Sequence, residues 1–369
     1  MIIEVYGRKD VNSWESSGIV DYQISLTIDT NYRTYDTFTM TLPLEESKDW
    51  FNLIQIESIL LIKDRFFYVD SIQVDKKSDG KVEISGASLL GKATKRIIEK
   101  TYVLTGGYPE KAVWDFINMS MISPTTAARK ISTLTLAAYE RLTDVRIDNM
   151  QTSYENVSDK MTEIMTAYDF GVTEVATDLE GIKQQVKVYK GKDVSDSVEF
   201  TADYENIIDE GLINNNVDES NVAYVYGEDQ GANRKFYLLD NGGVGVARSE
   251  IYVDARDLSQ TYTDDGSDVE HTYTDAVYQN MLKTRGINAL GDRTAILTLV
   301  GDINVNNPLF EYEKDYHVGD RVRITSKTFG VTKTAILTSM KETWDEQGYH
   351  LEPAWDQDSA TVFTAIKRK

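Results

Sequence analysis

Ile59-Leu60-Leu61-Ile62-Lys63-Asp64-Arg65-Phe66-Phe67-Tyr68-Val69-Asp70-Ser71-Ile72-Gln73-Val74 reads as two apolar strands about a short turn at Asp64-Arg65. Runs of β-branched and aromatic residues on both sides of a two-residue turn are the signature of a β-hairpin. Lys76-Lys77-Ser78-Asp79-Gly80 supplies a second turn, and Lys81 to Gly86 a closing strand. Upstream, Asp21 to Asp29 alternates, with Tyr22, Ile24, Leu26 and Ile28 on one face. Thr37-Phe38-Thr39-Met40-Thr41-Leu42 alternates again and stops at Pro43. A period of two means a sheet with one buried face. Roughly five to seven strands in about 90 residues describe a small antiparallel barrel or sandwich.

Beyond residue 95 the period changes. Pro109 fits the first turn of a helix, followed by Glu110 and the apolar Val113, Trp114 and Ile117. A second helix is predicted from near Ser153 to Gly171, with Val157, Met161, Ile164, Met165 and Tyr168 at helical spacing. Val172–Thr177 and Gln184–Tyr189 read as strands, so 96–195 is an α+β unit. Strands return at Asn221–Glu228 and Arg234–Leu239, with a loop at Asp240-Asn241-Gly242-Gly243. An acidic stretch from Thr261 to Asp268 precedes a third helix at Thr274–Leu290 and a strand at Thr294–Val300. From Asn306 the pattern is β again: a hairpin of Asp320–Ser326 and Thr334–Glu342, a turn at Trp344–Gly348 and a strand at Tyr349–Glu352.

The final strands echo the first. Val69-Asp70-Ser71-Ile72 matches Leu337-Thr338-Ser339-Met340, and each is followed at the same distance by a glycine, Gly80 or Gly348. Each is preceded by an apolar arm, Ile59–Lys63 or Arg321–Thr325, and followed by a short strand, Lys81–Ile84 or Tyr349–Glu352. The echo reads either as a duplicated domain or as the general likeness of β-hairpins. Duplication would make the second copy discontinuous, with a helix-bearing insertion.

Composition narrows the function. The chain has 369 residues, 39 Lys+Arg against 60 Asp+Glu, and a net charge of −21. More than one folding unit is expected at this length. The acidity argues against a dedicated nucleic-acid binder, which needs a basic footprint, and against adhesion to an anionic membrane. With 41% hydrophobic and 10% aromatic residues there is material for cores. Zero cysteines exclude disulfides and thiol chemistry. The N-terminal Met1-Ile2-Ile3 is followed at once by charge, so a secretory leader is not expected. Ile59–Ile62, the purest apolar run, is too short to span a bilayer.

Catalytic signatures are missing. Gly86-Ala87-Ser88-Leu89-Leu90-Gly91-Lys92-Ala93-Thr94 nearly fits a phosphate loop, but Ala93 stands where a magnesium-holding hydroxyl is needed. Its leucine pair suits packing. The three histidines, His271, His317 and His350, fall in no metal-ligand spacing. Asp264-Asp265-Gly266-Ser267-Asp268 lacks the alternating ligands and distal glutamate of an EF loop. No GxSxG is present. The expectation is therefore no catalytic, cofactor-binding or metal residue, no cofactor, and a binding or structural role. The 60 acids leave a peptidoglycan or glycan hydrolase as the alternative, and the 22 tyrosines a surface carbohydrate-binding module.

The order of motifs resembles a known family. Tyr35–Pro43, Ile59–Ile62, Tyr68–Ile72 and Val82–Leu90 are similar to the opening of the siphophage ReqiPepy6 Gp37-like tail proteins. Lys314-Asp315-Tyr316-His317-Val318-Gly319-Asp320-Arg321-Val322 looks like that family's "DY-LGD-V" element. Trp344 to Pro353 looks like its terminal hairpin. The middle of the chain, 96–305, matches by domain order alone.

The resemblance implies a baseplate or tail-tip hub, similar in fold to the hubs of contractile tails and to the hub region of tail-associated lysins. Such a protein is mainly β within an α+β class. Two barrel-like tube domains carry two peripheral α+β domains. The implied division is 1–95 for the first tube domain and 96–195 for a peripheral one. The second tube domain is discontinuous, at 196–254 and 306–369, and 255–305 is an inserted peripheral domain. The resemblance further implies a homotrimer forming a pseudo-sixfold ring in a virion tail, assembled in the host cytoplasm. Its neighbours would be a distal tail protein or tube ring, a tape-measure protein and a tip or fibre component. DNA would pass through the lumen unbound, and no membrane anchor is implied. No lysin domain is expected after the Pro353 hairpin.

Overall fold

The computed structural model describes residues 1–10, 13–44, 50–75, 80–263, 269–291, 293, 296–306 and 309–357. The N-terminal segment forms β1 (Ile3–Asp10), β2 (Ser13–Val20), β3 (Ser25–Asn31), β4 (Thr37–Pro43), β5 (Ile59–Ile62), β6 (Arg65–Asp75) and β7 (Lys81–Ser88). In β4, Phe38, Met40 and Leu42 point into the core and the three threonines point away, as the alternation requires. The hairpin turns at Lys63-Asp64, one residue before the expected Asp64-Arg65, because Arg65 already pairs with Ile62 as the first residue of β6; Ile59 lies opposite Tyr68.

The unbroken run Ile59–Ile62 has a specific cause. Leu60, Ile62, Phe67 and Val69 face one core with Leu26, Ile28, Phe38 and Met40. Ile59, Leu61, Phe66 and Tyr68 face a second core, built with the α+β unit. A strand buried on both faces has no polar side, so it loses its alternation.

The second unit contains β8 (Tyr102–Gly107), α1 (Pro109–Ile117), β9 (Leu134–Leu136), β10 (Ile147–Thr152), α2 (Val157–Tyr168), β11 (Gly171–Asp178) and β12 (Lys183–Tyr189). Pro109 opens α1, as predicted. The helix expected from Ser153 starts later, at Val157. The Asn156 side chain accepts hydrogen bonds from the amides of Ser158 and Asp159, and Tyr154 before it holds a φ of 61°. That cap fixes the start.

The rest of the chain forms β13 (Glu199–Thr201), β14 (Ile207–Asn215), β15 (Val222–Tyr226), β16 (Phe236–Asp240), β17 (Glu250–Asp254), β18 (Thr261–Thr263) and β19 (Glu270–Thr272). Then come α3 (Asp275–Gly291), β20 (Ile296–Ile303), β21 (Arg321–Ser326), β22 (Val331–Asp345) and β23 (Gly348–Gln357). The Lys76–Asp79 part of the second predicted turn, the acidic Asp264–Asp268 and the terminal 358–369 lie outside the described residues.

One 13-stranded sheet holds both ends of the chain, in the order β14-β20-β23-β22-β3-β4-β7-β6-β5-β1-β2, with β21 also pairing β22 and β13 pairing β21. Two runs of six strands are contained in it. The first is β3-β4-β7-β6-β5-β1 and the second is β14-β20-β23-β22-β21-β13. The orders correspond strand for strand, except that β1 runs antiparallel to β5 whereas β13 runs parallel to β21.

The expected barrels are corrected by this pairing: among the described residues the sheet is open. The free edge of β3, which would have to meet β2 to close a barrel, is occupied by β22, with Ile28 opposite Glu342 and Leu26 opposite Trp344. A strand has two edges, and β4 takes the other.

The two strands read at Asn221–Glu228 and Arg234–Leu239 form as β15 and β16, joined by β17, outside the 13-stranded sheet. Among the described residues β15, β16 and β17 pair only with one another. They pack on α3, and Val225, Leu239, Tyr278 and Leu282 share a core with α1 and α2. The helix-bearing stretch and the 96–195 unit thus have one apolar core in common.

Candidate functional site at the seam between the repeats

The duplication extends to individual hydrogen bonds. The register of β6 against β7 shifts between Val69 and Ser71, and that of β22 against β23 between Leu337 and Ser339. Each is a β-bulge, at Asp70 and at Thr338, at the positions the sequence echo aligns. Opposite the first, the Val69 amide donates to the Ser58 carbonyl and the Glu57 amide to the Val69 carbonyl, both 2.9 Å. Opposite the second, the Leu337 amide donates to the Asp320 carbonyl (3.0 Å) and the Gly319 amide to the Leu337 carbonyl (2.7 Å). Glu57 and Gly319 both have positive φ, 68° and 95°. The Ser58 hydroxyl accepts from the Gln55 amide (3.0 Å), and the Asp320 carboxylate from the His317 amide (2.9 Å).

This geometry explains Tyr316-His317-Val318-Gly319-Asp320. Tyr316 is buried edge-on against Phe200, with ring centroids 5.2 Å apart. Gly319 supplies the left-handed turn that feeds β21. The second oxygen of Asp320 accepts from the Lys192 amide (2.7 Å), tying the turn to the end of the α+β unit.

At the seam, Glu342 of β22 is 0% exposed, and Lys63, from the turn of the first repeat, donates to both its oxygens at 2.9 and 2.7 Å. The Tyr349 hydroxyl donates to the same carboxylate at 2.6 Å. Burial and then that neighbour push the Tyr349 phenol well above its ordinary range. Trp344 stacks on Tyr349, and the Lys63 ammonium lies 5.3 Å from the Trp344 ring centroid. Beside it, Arg65 donates to Asp36 (2.6 Å) and to Thr30 (2.9 Å), while the Asn31 amide donates to the other Asp36 oxygen (2.8 Å). Burial raises the Asp36 carboxyl, with Arg65 and these donors opposing. Both carboxylates are held by cations, Asp36 within the first repeat and Glu342 across the seam, so the Lys63–Glu342 pair is an electrostatic lock between repeats.

The α+β unit docks on the first repeat through Gln184 and Glu174. Gln184 accepts from the Phe66 amide (2.6 Å) and donates to the Phe66 carbonyl (3.3 Å), acting as a short surrogate strand. Glu174 accepts from the Leu90 amide (2.8 Å) and from Gln184 (3.0 Å). Burial pushes its carboxyl up to about 7 against those hydrogen bonds.

The sequence candidates fall elsewhere. Gly86–Thr94 runs from β7 into a 3-10 turn that buries Leu89, Leu90 and Ala93, and Lys92 sits 3.4 Å from the Tyr68 ring centroid. His271 stacks on Tyr262, whereas His317 and His350 lie 3.4 Å from Asp320 and Asp345 respectively. The structure does not bring the three together. Among the described residues no group of three His, Cys, Asp or Glu gathers as a metal site, and no helix is long and apolar enough to cross a membrane. The seam pair Lys63–Glu342 had no signal in sequence, because its partners lie 279 positions apart.

The Siphovirus ReqiPepy6 Gp37-like protein family matches residues 2–354. The chain belongs to this family. This Gp37-like protein is also similar in fold to solved tail proteins. For the tail protein from Neisseria meningitidis MC58 the TM-score is 0.54 at 13% identity, covering 98% of each chain. For the 43 kDa tail protein of prophage MuSo2 from Shewanella oneidensis it is 0.55 at 9% identity, covering 98% of this chain and 99% of that one. For prophage tail protein gp18 from Listeria monocytogenes EGD-e it is 0.51 at 11% identity, covering 100% and 99%. No curated protein matches the sequence. The Gp37-like protein thus shares its fold with solved phage and prophage tail proteins.

Proposed function

We propose that this Gp37-like protein is the structural hub subunit of a phage or prophage tail tip. It acts as a homotrimer whose six sheet repeats form a ring joining the tail tube to a threefold tip. The observation that carries this reading is the repeated six-strand order, with its bulges at Asp70 and Thr338, joined edge to edge at β3–β22. A chain holding two near-equivalent units lets three copies meet a sixfold partner with near-equivalent contacts. In this reading the tube units are 1–95 and the strands of 196–215 with 296–357. The remaining segments, 96–195 and 221–291, form one peripheral body. Its neighbours are a distal tail protein or tube ring, a tape-measure protein and a tip or fibre component.

The role is mechanical. A channel lined with acids repels passing phosphates, which suits a chain of net charge −21. Light scattering in solution with negative-stain imaging tests the assembly. The expected result is a trimeric mass and a six-lobed ring. A monomer at all concentrations, alone and with a distal tail protein, overturns the reading. Clearing of cell-wall substrate in a zymogram would overturn the non-enzymatic role.

A further inference from the structure

The internal seam predicts the seam between subunits. Within one chain, β3 of the first repeat pairs with the second half of β22, from Ser339 to Trp344, while β21 occupies only the first half of that edge. The counterparts of these elements are β14 for β3 and β6 for β22. Among the described residues both counterparts have a free edge. β5 covers β6 only as far as Tyr68, and among the described residues no strand pairs with Ser71–Asp75 on that side. Among the described residues β14 pairs with β20 alone and ends the sheet. Val74 on the open half of β6 is 46% exposed. Long unpaired strand edges that carry apolar residues are templates for further pairing.

We propose that β14 of one subunit pairs antiparallel with Ser71–Asp75 of β6 in the next copy of the chain, repeating the β3–β22 seam. This inference rests on the trimeric hub reading and adds the strands and the register to it.

The register follows from the matched pairs. The two bulges make Ile72 the counterpart of Met340 and Val74 that of Glu342. Ile72 and Met340 face Ile84 and Pro353, so β7 maps onto β23. Ile84 faces Met40, and the Ile303–Leu351 pair places Gly301 opposite Pro353, so β4 maps onto β20. Ile28 faces Phe38, the counterpart of Leu299, and Leu299 faces Leu212. Leu212 is therefore the counterpart of Ile28. Ile28 lies opposite Glu342 across the internal seam. Across the subunit seam Leu212 then falls opposite Val74, and Asn215 opposite Ser71. The contact is heterologous, as a ring needs, and with three chains it closes without a free edge at either strand.

Cysteine pairing tests this, because the natural chain contains no cysteine. Directly opposed residues in an antiparallel ladder have Cα atoms about 4.5 or 5.5 Å apart, both within disulfide range. The single variants Val74→Cys and Leu212→Cys are mixed and oxidised, with Ser71→Cys and Asn215→Cys as a second in-register pair. Val74→Cys with Asn215→Cys is the off-register control. The expected result is a covalent dimer in both in-register mixtures, at least tenfold more than in the control, and a closed covalent trimer from the Val74→Cys/Leu212→Cys double variant. A trimer by light scattering with neither in-register pair linking overturns the pairing and leaves the ring standing. A monomer that never links overturns both. Links that run on into an open ladder beyond three chains overturn the closure.

Discussion

Lys63 and Glu342, one from each sheet repeat, meet at 2.7 Å with the carboxylate wholly buried. Removing one partner of such a pair leaves an uncompensated buried charge, at a typical cost of about 3–5 kcal/mol. Tyr349 still donates to Glu342, and Lys63 is partly exposed, so Lys63→Met should fall at the lower end, about 3 kcal/mol. The double variant Lys63→Met/Glu342→Gln should be less destabilised than the sum of its singles. Urea unfolding of all four proteins in a double-mutant cycle gives the coupling. Strict additivity would mean the pair does not lock the repeats.

Glu174 makes stability depend on pH in a stated direction. Its folded pKa is about 7, above the ordinary carboxylate value of 4.5. Between these values the folded state binds more protons than the unfolded state, so stability falls as pH rises from about 4.5 to 7. The stabilising contribution is present below the unfolded pKa and is lost through the folded one. Glu174→Gln keeps an acceptor for Leu90 and Gln184 and removes the ionisation. It should raise stability at pH 8 by roughly 1–3 kcal/mol and do little at pH 4.5. Urea midpoints at the two pH values, for both proteins, are the readout. An equal gain at both would remove titration as the cause.

Gly191 lies where the α+β unit returns to the second repeat. A Cβ there would stand 1.8 Å from the Gly319 carbonyl oxygen and 2.7 Å from the Asp320 nitrogen, both backbone atoms that cannot swing aside. Gly191→Ala should therefore part the two segments and cost about 2–4 kcal/mol. Faster proteolysis near residues 190–192, with β-sheet circular dichroism retained, is the expected signature. An alanine variant with native stability and protection would show that this approach is not required.

How much of this was legible in sequence follows from separation along the chain. The β5–β6 hairpin, though it turns at Lys63-Asp64 and not at Asp64-Arg65, the helix opening at Pro109 and the echo of Val69–Ile72 in Leu337–Met340 are local patterns, and the structure carries each of them. The open sheet was not legible. Alternation in β3 says which face is buried, but nothing in it tells whether the free edge meets β2 or a strand more than 300 residues away. That β15, β16 and β17 form a sheet of their own was not legible for the same reason: Val222–Tyr226 looks like any strand, and only its packing on α3 shows where it lies. Gln184 and Glu174 gave no signal, because their partners are the backbones of Phe66 and Leu90. Backbone partners leave no mark on sequence.

Ser58 and Asp320 occupy equivalent places in the two repeats yet carry different loads, which separates the contribution of the repeat from that of docking. The Ser58 hydroxyl accepts one amide, from Gln55. Asp320 accepts two, from His317 within its own turn and from Lys192 of the neighbouring segment. Both side chains are buried, so each truncation leaves amide donors without a partner, at about 1–3 kcal/mol per group. Ser58→Ala should cost about 1 kcal/mol and leave the α+β unit docked. Asp320→Ala should cost roughly twice as much and speed hydrogen exchange at both His317 and Lys192. Asp320→Ser should restore slow exchange at His317 alone, since a hydroxyl reaches only the amide that Ser58 serves in the first repeat. If Asp320→Ser protects both amides, the second carboxylate oxygen is not what holds the α+β unit to the repeat.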